Sequence, residues 1–343
     1  MRIFTCRRAA MSCLAAGILA SVASAVSAQS TPPAPQPAKG CLVDNAIPGD
    51  QRAAIDATGL GFVHAILEGR ADDAYGTFTT AMKNQLPAEQ FAQMVAGARK
   101  SYGAVQGLHV AHAYLVTDPA GGPDKTVTCG AVGLPDEYVT VAVEPVALQA
   151  HLLIEGDIAG NSFTFVLWLI HGQDWQVQNI YLGMTEMIGK SAADLWRMAR
   201  EQEKRHHSFD AALLYGAADN LAERGPDLEL AIRPQLRAEM AELKPPRALQ
   251  GKTTLTWHLG DKTYTILAVG PVGVRQKLYL MINWQTTSWK DDPEVEARSK
   301  RLMTDFARVF PEYAEVFAGV IMSAVEKETG RGFRSFYPAA KTP

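Results

Sequence analysis

Near Gly107 the hydrophobic period of this chain changes, and that change restricts what it can fold into. Before Gly107 apolar residues recur at helical spacing: Leu60, Val63 and Leu67 form one stripe, Tyr75, Phe78 and Met82 a second, and Phe91, Met94 and Val95 a third. Gly69 and Pro87 punctuate them into three helices. After Gly107 the residues alternate. Leu108 to Thr117, Thr126 to Val132, Tyr138 to Val143, Leu148 to Glu155, Ser162 to Ile170 and Trp175 to Leu182 read as strands, with Gly160-Asn161 and Gly172 at hairpin turns. Helices followed by antiparallel strands is the α+β order, with helices on one face of a curved sheet. In the fourth strand Leu148, Ala150, Leu152 and Ile154 share one face, expected as core, while Gln149 and His151 share the other.

The start of the chain bounds where this fold has to work. Arg2, Arg7 and Arg8 precede an apolar stretch from Ala9 to Ala20, and small residues end at Val26-Ser27-Ala28. That is the order of a cleavable secretory signal over residues 1–28, and the stretch is short of the ~20 residues that span a bilayer. The mature chain is expected in the periplasm or outside the cell, with no membrane span after cleavage. Losing three arginines takes the 33 basic residues to 30 against 36 acidic ones. A mildly acidic balance leaves no electrostatic footprint for nucleic acid. Two cysteines remain, Cys41 and Cys129, in a compartment that permits disulfides. A bridge between them is expected; the alternative is two buried free thiols.

Residues 29–40 hold Pro32, Pro33, Pro35 and Pro37, which favour an extended linker ahead of the domain at 41–184. Ser191 to Gly225 returns to helical spacing as a hairpin, with Ser191 and Asp194 placed as a capping box. Ala199, Ala211, Tyr215 and Ala218 fall at spacings similar to a tetratricopeptide unit, but no second copy follows, so residues 185–249 read as a helical connector. A third helical segment, Asp227 to Leu243, ends at Pro245-Pro246. Residues 250–343 read as a smaller α+β unit. It has a three-stranded meander through Trp257, Tyr264 and Leu278 to Trp284, then two C-terminal helices, one from Pro293 and one from Pro311 through Ala324.

The entry pattern FVHAILEGRADDAYGTFTTAM and the closing strands NSFTFVLWLI and DWQVQNIYL resemble the nuclear transport factor two-like, or cystatin-like, α+β cone superfamily over about Gln51 to Leu182. The resemblance implies N-terminal helices filling the concave face of the sheet. It also implies an apolar pocket, with Tyr75, Phe78, His151 and Tyr181 as its candidate lining. Some members are isomerases or dehydratases that hold an acid-base group in such a pocket.

No catalytic signature stands beside that resemblance. Gly183 and Gly189-Lys190-Ser191 follow a strand and open a helix, but five residues separate the glycines where a phosphate-binding loop has four, so Ser191 reads as a cap. His109 and His112 on a strand point to opposite faces, and adjacent His206-His207 diverge, so no metal site is expected. No nucleophile elbow occurs, and Asp72-Asp73, Asp291-Asp292 and Glu294 with Glu296 sit at helix starts, where they offset the macrodipole. The chain therefore reads as a non-catalytic envelope or secreted protein without a cofactor, acting through ligand binding or assembly, with a small apolar ligand or an envelope protein as partner. The alternatives are a cone-type isomerase or dehydratase and a hydrophobic-ligand carrier. Polar groups converging in the pocket favour the enzyme; a pocket plugged by Phe, Leu and Met favours a binding or structural role.

Overall fold

The computed structural model describes residues 40–102, 105–117, 125–130, 138–146, 148–158, 161–251, 254–287 and 293–339. The signal peptide expected over residues 1–28 and nearly all of the expected linker at 29–40 lie outside the described residues, as do Asp291-Asp292 and Gly160 of the expected hairpin turn. The architecture is α+β, as the change of period implies.

Strand β1 (Cys41–Val43) leads into helices α1 (Gly49–Glu68), α2 (Ala71–Gly76), α3 (Thr80–Gln85) and α4 (Ala88–Tyr102). The middle helix expected from the sequence is broken in two. Thr77 and Thr79 exchange main-chain hydrogen bonds with Val177, and the Thr79 hydroxyl accepts from Met82 N to cap α3. A sheet contact and a new cap together outcompete helix continuity at Phe78.

Strands β2 (Val105–Val116), β3 (Thr126–Gly130), β4 (Tyr138–Ala142), β5 (Gln149–Ile158), β6 (Asn161–His171) and β7 (Trp175–Met184) follow. The first sheet runs β1-β2-β5-β6-β7, antiparallel throughout. Helices α1 to α4 cover one face, and α1 lies close because Gly59 faces the strands: a Cβ there would sit 2.4 Å from Leu152 Cδ1. The opposite face is buried too, contrary to the one-sided core expected, because a second small sheet lies over it. Val127, Cys129, Val139 and Val141 of that sheet pack on Tyr114, Val116, Leu153 and Val166. Cys41 and Cys129 form a disulfide with their α-carbons 5.5 Å apart, tying β1 of the first sheet to β3 of the second.

A hairpin, β8 (Glu186–Met187) with β9 (Lys190–Ser191), then opens α5 (Ala192–Lys204). Ser191 Oγ accepts from Asp194 N and Asp194 accepts from Ser191 N, so the Gly-Lys-Ser segment is a capped turn. Helix α6 (Ser208–Ala222) returns along α5, with Ala199, Ala211, Tyr215 and Ala218 fully buried. The chain then crosses back: β10 (Leu228–Leu230), where a helix was expected, pairs with β4 and completes the second sheet, β10-β4-β3. Helix α7 (Ile232–Glu242) starts only after it.

The last sheet is β11 (Leu255–Leu259), β12 (Lys262–Val274), β13 (Lys277–Thr286), β14 (Gly319–Glu326) and β15 (Gly332–Pro338), in that order. Helix α8 (Pro293–Val309) carries the chain from β13 to β14, which pair in parallel. The second C-terminal helix, expected from Pro311 through Ala324, is a single turn, α9 (Tyr313–Val316), and the rest of that run is strand. Gly319 to Ala324 is buried on both faces, and an apolar run without polar alternation fits a helix stripe as well as a strand. The three-stranded meander is thereby extended to five strands. Helices α5, α6 and α7 share one continuous core with this sheet and α8, so the segment expected as a connector supplies part of the core. Among the described residues, no helix is long and apolar enough to cross a membrane.

Candidate functional site

Strand periodicity distributes the four candidate pocket residues over both faces of the first sheet. Tyr75 and Phe78 lie on the helix side. Phe78 is fully buried, with ring centroids 5.3 Å from Phe62, 5.0 Å from Phe91 and 5.8 Å from Tyr75. These rings pack together in the core between α1, α2, α4 and the sheet.

His151 and Tyr181 face the other way. His151 sits between Ala150 and Leu152, whose side chains join the helix-side core, so its own is turned beneath the second sheet. There it stacks on Trp168 with centroids 5.3 Å apart, and its Nε2 lies 2.9 Å from Ala142 O. A carbonyl only accepts, so the proton is on Nε2, and the buried Nδ1 is left without a partner. Burial pushes the imidazole pKa down to about 4, offset in part by the bond to Ala142. The unfolded chain then takes up a proton below its ordinary 6.5 while the folded chain resists until about 4. His151 thus contributes stability above pH 6.5 that is lost as pH falls through that window, about 3 kcal/mol in all. The expected result is that the stability difference between His151→Phe and the native chain, from urea titrations at pH 7.5 and 4.5, moves in favour of the variant by that order at the lower pH. A constant difference would show that His151 is not buried neutral.

Tyr181 packs against Gly225, which has a φ of +83° and no room for a side chain: a Cβ would lie 2.8 Å from Tyr181 Cβ. Beside it Arg224 is 8% exposed, and its Nη1 donates to Leu221 O at 2.6 Å and Glu223 O at 2.9 Å, closing the C-terminal end of α6. Burial lowers its pKa to about 10 against the opposing charge of Glu155. An open cleft of about 480 Å³ nearby is lined by Thr126, Thr140, Tyr181, Asp227, Arg233 and Arg237 among others. Its arginines are paired, Arg233 with Asp219 at 2.9 Å and Glu223 at 3.3 Å, and Arg237 with Asp219 at 2.9 Å. They leave little uncompensated charge to direct an anion.

His109 and His112 pair with Glu155 and Leu153, so a bulge in β2 brings both onto one face where alternation alone had placed them on opposite ones. Their rings part all the same: His112 Nδ1 is 2.9 Å from Asp44 Oδ2, and His109 Nδ1 is 2.8 Å from Gly107 O. Among the described residues, no three His, Cys, Asp or Glu side chains are placed to share a metal ion.

The space between the helices and the first sheet holds a different feature, which none of the four candidates lines. A cavity of about 160 Å³ lies between Ile66 and Leu67 of α1, Phe91, Met94, Val95 and Ala98 of α4, and Ile158, Phe165, Ile180 and Leu182 of the sheet. Every lining residue is apolar, and none titrates. Ile180 and Leu182 flank Tyr181 in sequence and point the opposite way, so the same alternation that removes Tyr181 supplies the wall. Met94 is 55% exposed and continues the apolar stripe of α4 out to the rim. A wider, more open groove of about 410 Å³ runs between α6, α7 and the edge of the last sheet, past Leu213, Met240, Leu243, Leu249, Leu255 and Val269. No family model, curated protein or solved structure matches this chain.

Proposed function

We propose that this is a non-catalytic exported binding protein that takes the apolar part of a small ligand into the cavity between α1, α4 and the first sheet. The observation that carries the reading is the lining, ten apolar residues with no ionisable side chain among them. Acid-base chemistry of the isomerase or dehydratase kind needs a titratable group within hydrogen-bond reach of the substrate. The resemblance to the cone superfamily fits this as a version whose centre is plugged by Phe62, Phe78 and Phe91. The disulfide, the absence of a spanning helix among the described residues and the signal-like N-terminus favour a periplasmic or secreted location.

A dry cavity of roughly 150 Å³ holds a benzene-sized guest. The cavity here is matched to a short alkyl tail or a single ring. A series of n-alkanols from butanol to octanol, titrated calorimetrically, should bind about fourfold more tightly per methylene until the cavity is full. Ala98→Phe, which projects a ring into the space, should abolish the trend. Affinity that does not depend on chain length would overturn the proposal.

A further inference from the structure

Asp210 is fully buried in the first turn of α6, and neither carboxylate oxygen has a hydrogen-bond partner. A first-turn aspartate ordinarily faces outward, where the helix N-terminus favours its charge. Here the side chain is buried instead, and the ring of the preceding Phe209 stacks on Phe310 at 4.3 Å, drawing the α9 segment against α6.

The charged groups that act on Asp210 are Glu312 and Glu315 of that segment, both of the same sign. The cations of the α5–α6 corner are committed elsewhere. Arg205 donates to Glu315 at 2.8 Å, and His207 Nδ1 lies 2.7 Å from Gln202 Oε1 and 3.8 Å from Glu315. Neither reaches Asp210. A buried carboxyl without donors beside two carboxylates is tolerable as the neutral acid and costly as the anion.

We propose that the contact between the first turn of α6 and the α9 segment is a pH-responsive latch, closed while Asp210 is protonated and loosened when it ionises against Glu312 and Glu315. Burial, then the two glutamates, push the Asp210 pKa up to about 7 from the ordinary 3.8. The closed form holds the proton more tightly than an opened one. Opening therefore becomes easier as pH rises from about 4 through 7, and levels off above that. His151, in the core beneath the second sheet, shifts global stability in the opposite direction over much of this range, so the latch is to be read locally.

The test is amide hydrogen exchange of the full mature chain at pH 5.5 and 8.5, corrected for intrinsic rates. The amides of Phe209 to Leu214 and Tyr313 to Ala318 should lose roughly thirtyfold in protection at the higher pH. Asp210→Asn should remove the difference, His207→Gln should keep it, and Glu312→Gln with Glu315→Gln should shrink it. If Asp210→Asn fails to fold, the carbonyl-carbon chemical shift of the Asp210 carboxyl in the native chain decides, since it should titrate near neutrality. Titration below pH 5, equal protection at both pH values, or a pH response that survives Asp210→Asn would overturn the latch.

Discussion

Reduction of the Cys41–Cys129 bridge, or its replacement by two alanines, is expected to lower the stability of the protein by about 4 to 5 kcal/mol. The bridge joins residues 88 apart in sequence, and closing so long a loop removes a large share of the unfolded chain's freedom. The folded state has a specific dependence on it as well. The second sheet is small and rests on the first through a modest apolar layer, in which Val127, Val139, Val141 and Leu228 meet Tyr114, Leu153 and Val166. Without the bridge β3 is held by its pairing with β4 and by that layer alone. Urea titrations with and without reductant measure the loss, and exchange of the β3 and β4 amides should rise before the rest of the first sheet. A loss below about 1 kcal/mol would mean that unfolded-state structure or native strain offsets the loop term.

Phe209→Ala should cost about 3 to 5 kcal/mol, as large-to-small changes of buried aromatics do. Phe209 is fully buried, with ring centroids 6.2 Å from Trp257, 5.6 Å from Phe306 and 4.3 Å from Phe310. It belongs to α6, yet its partners are in β11, in α8 and just ahead of α9. If residues 185–249 were only a connector, truncating this ring would loosen the helical hairpin and spare the last sheet. The shared core leads to the other expectation: in a background where Trp257 and Trp284 are the tryptophans kept of the six, their fluorescence and the far-ultraviolet circular dichroism should shift together to lower urea. Separated transitions would mean that the hairpin and the sheet are independent after all. The same experiment bears on whether 41–184 and 250–343 fold independently. The chain returns from α6 to the second sheet through β10 before it enters α7, so the hairpin is attached to both parts.

Much of the architecture follows from local pattern. Strands β2, β5, β6 and β7 of the first sheet, the hairpin of α5 and α6 and the capping box at Ser191 are each dictated by residues close in sequence, and the pairing of Cys41 with Cys129 is expected from the export reading. Alternation holds best where one face is polar, and capping chemistry is read within four residues. Tertiary structure decided what local pattern leaves ambiguous. Gly319 to Ala324 reads as helix or strand because it is buried on both sides, and only its place beside β13 makes it a strand. Leu228 to Leu230 lies inside a helical pattern and becomes a strand because β4 offers an edge. His151 and Tyr181 look like pocket residues until the register of β5, β6 and β7 turns them beneath the second sheet, leaving their neighbours Ile180 and Leu182 to line the cavity. Asp210, placed where an ordinary helix-start carboxylate belongs, is buried in the folded chain, next to the Phe209 whose ring stacks on the distant Phe310. Periodicity records which residues share a face; which face is covered, and by what, depends on contacts between segments that no local window contains.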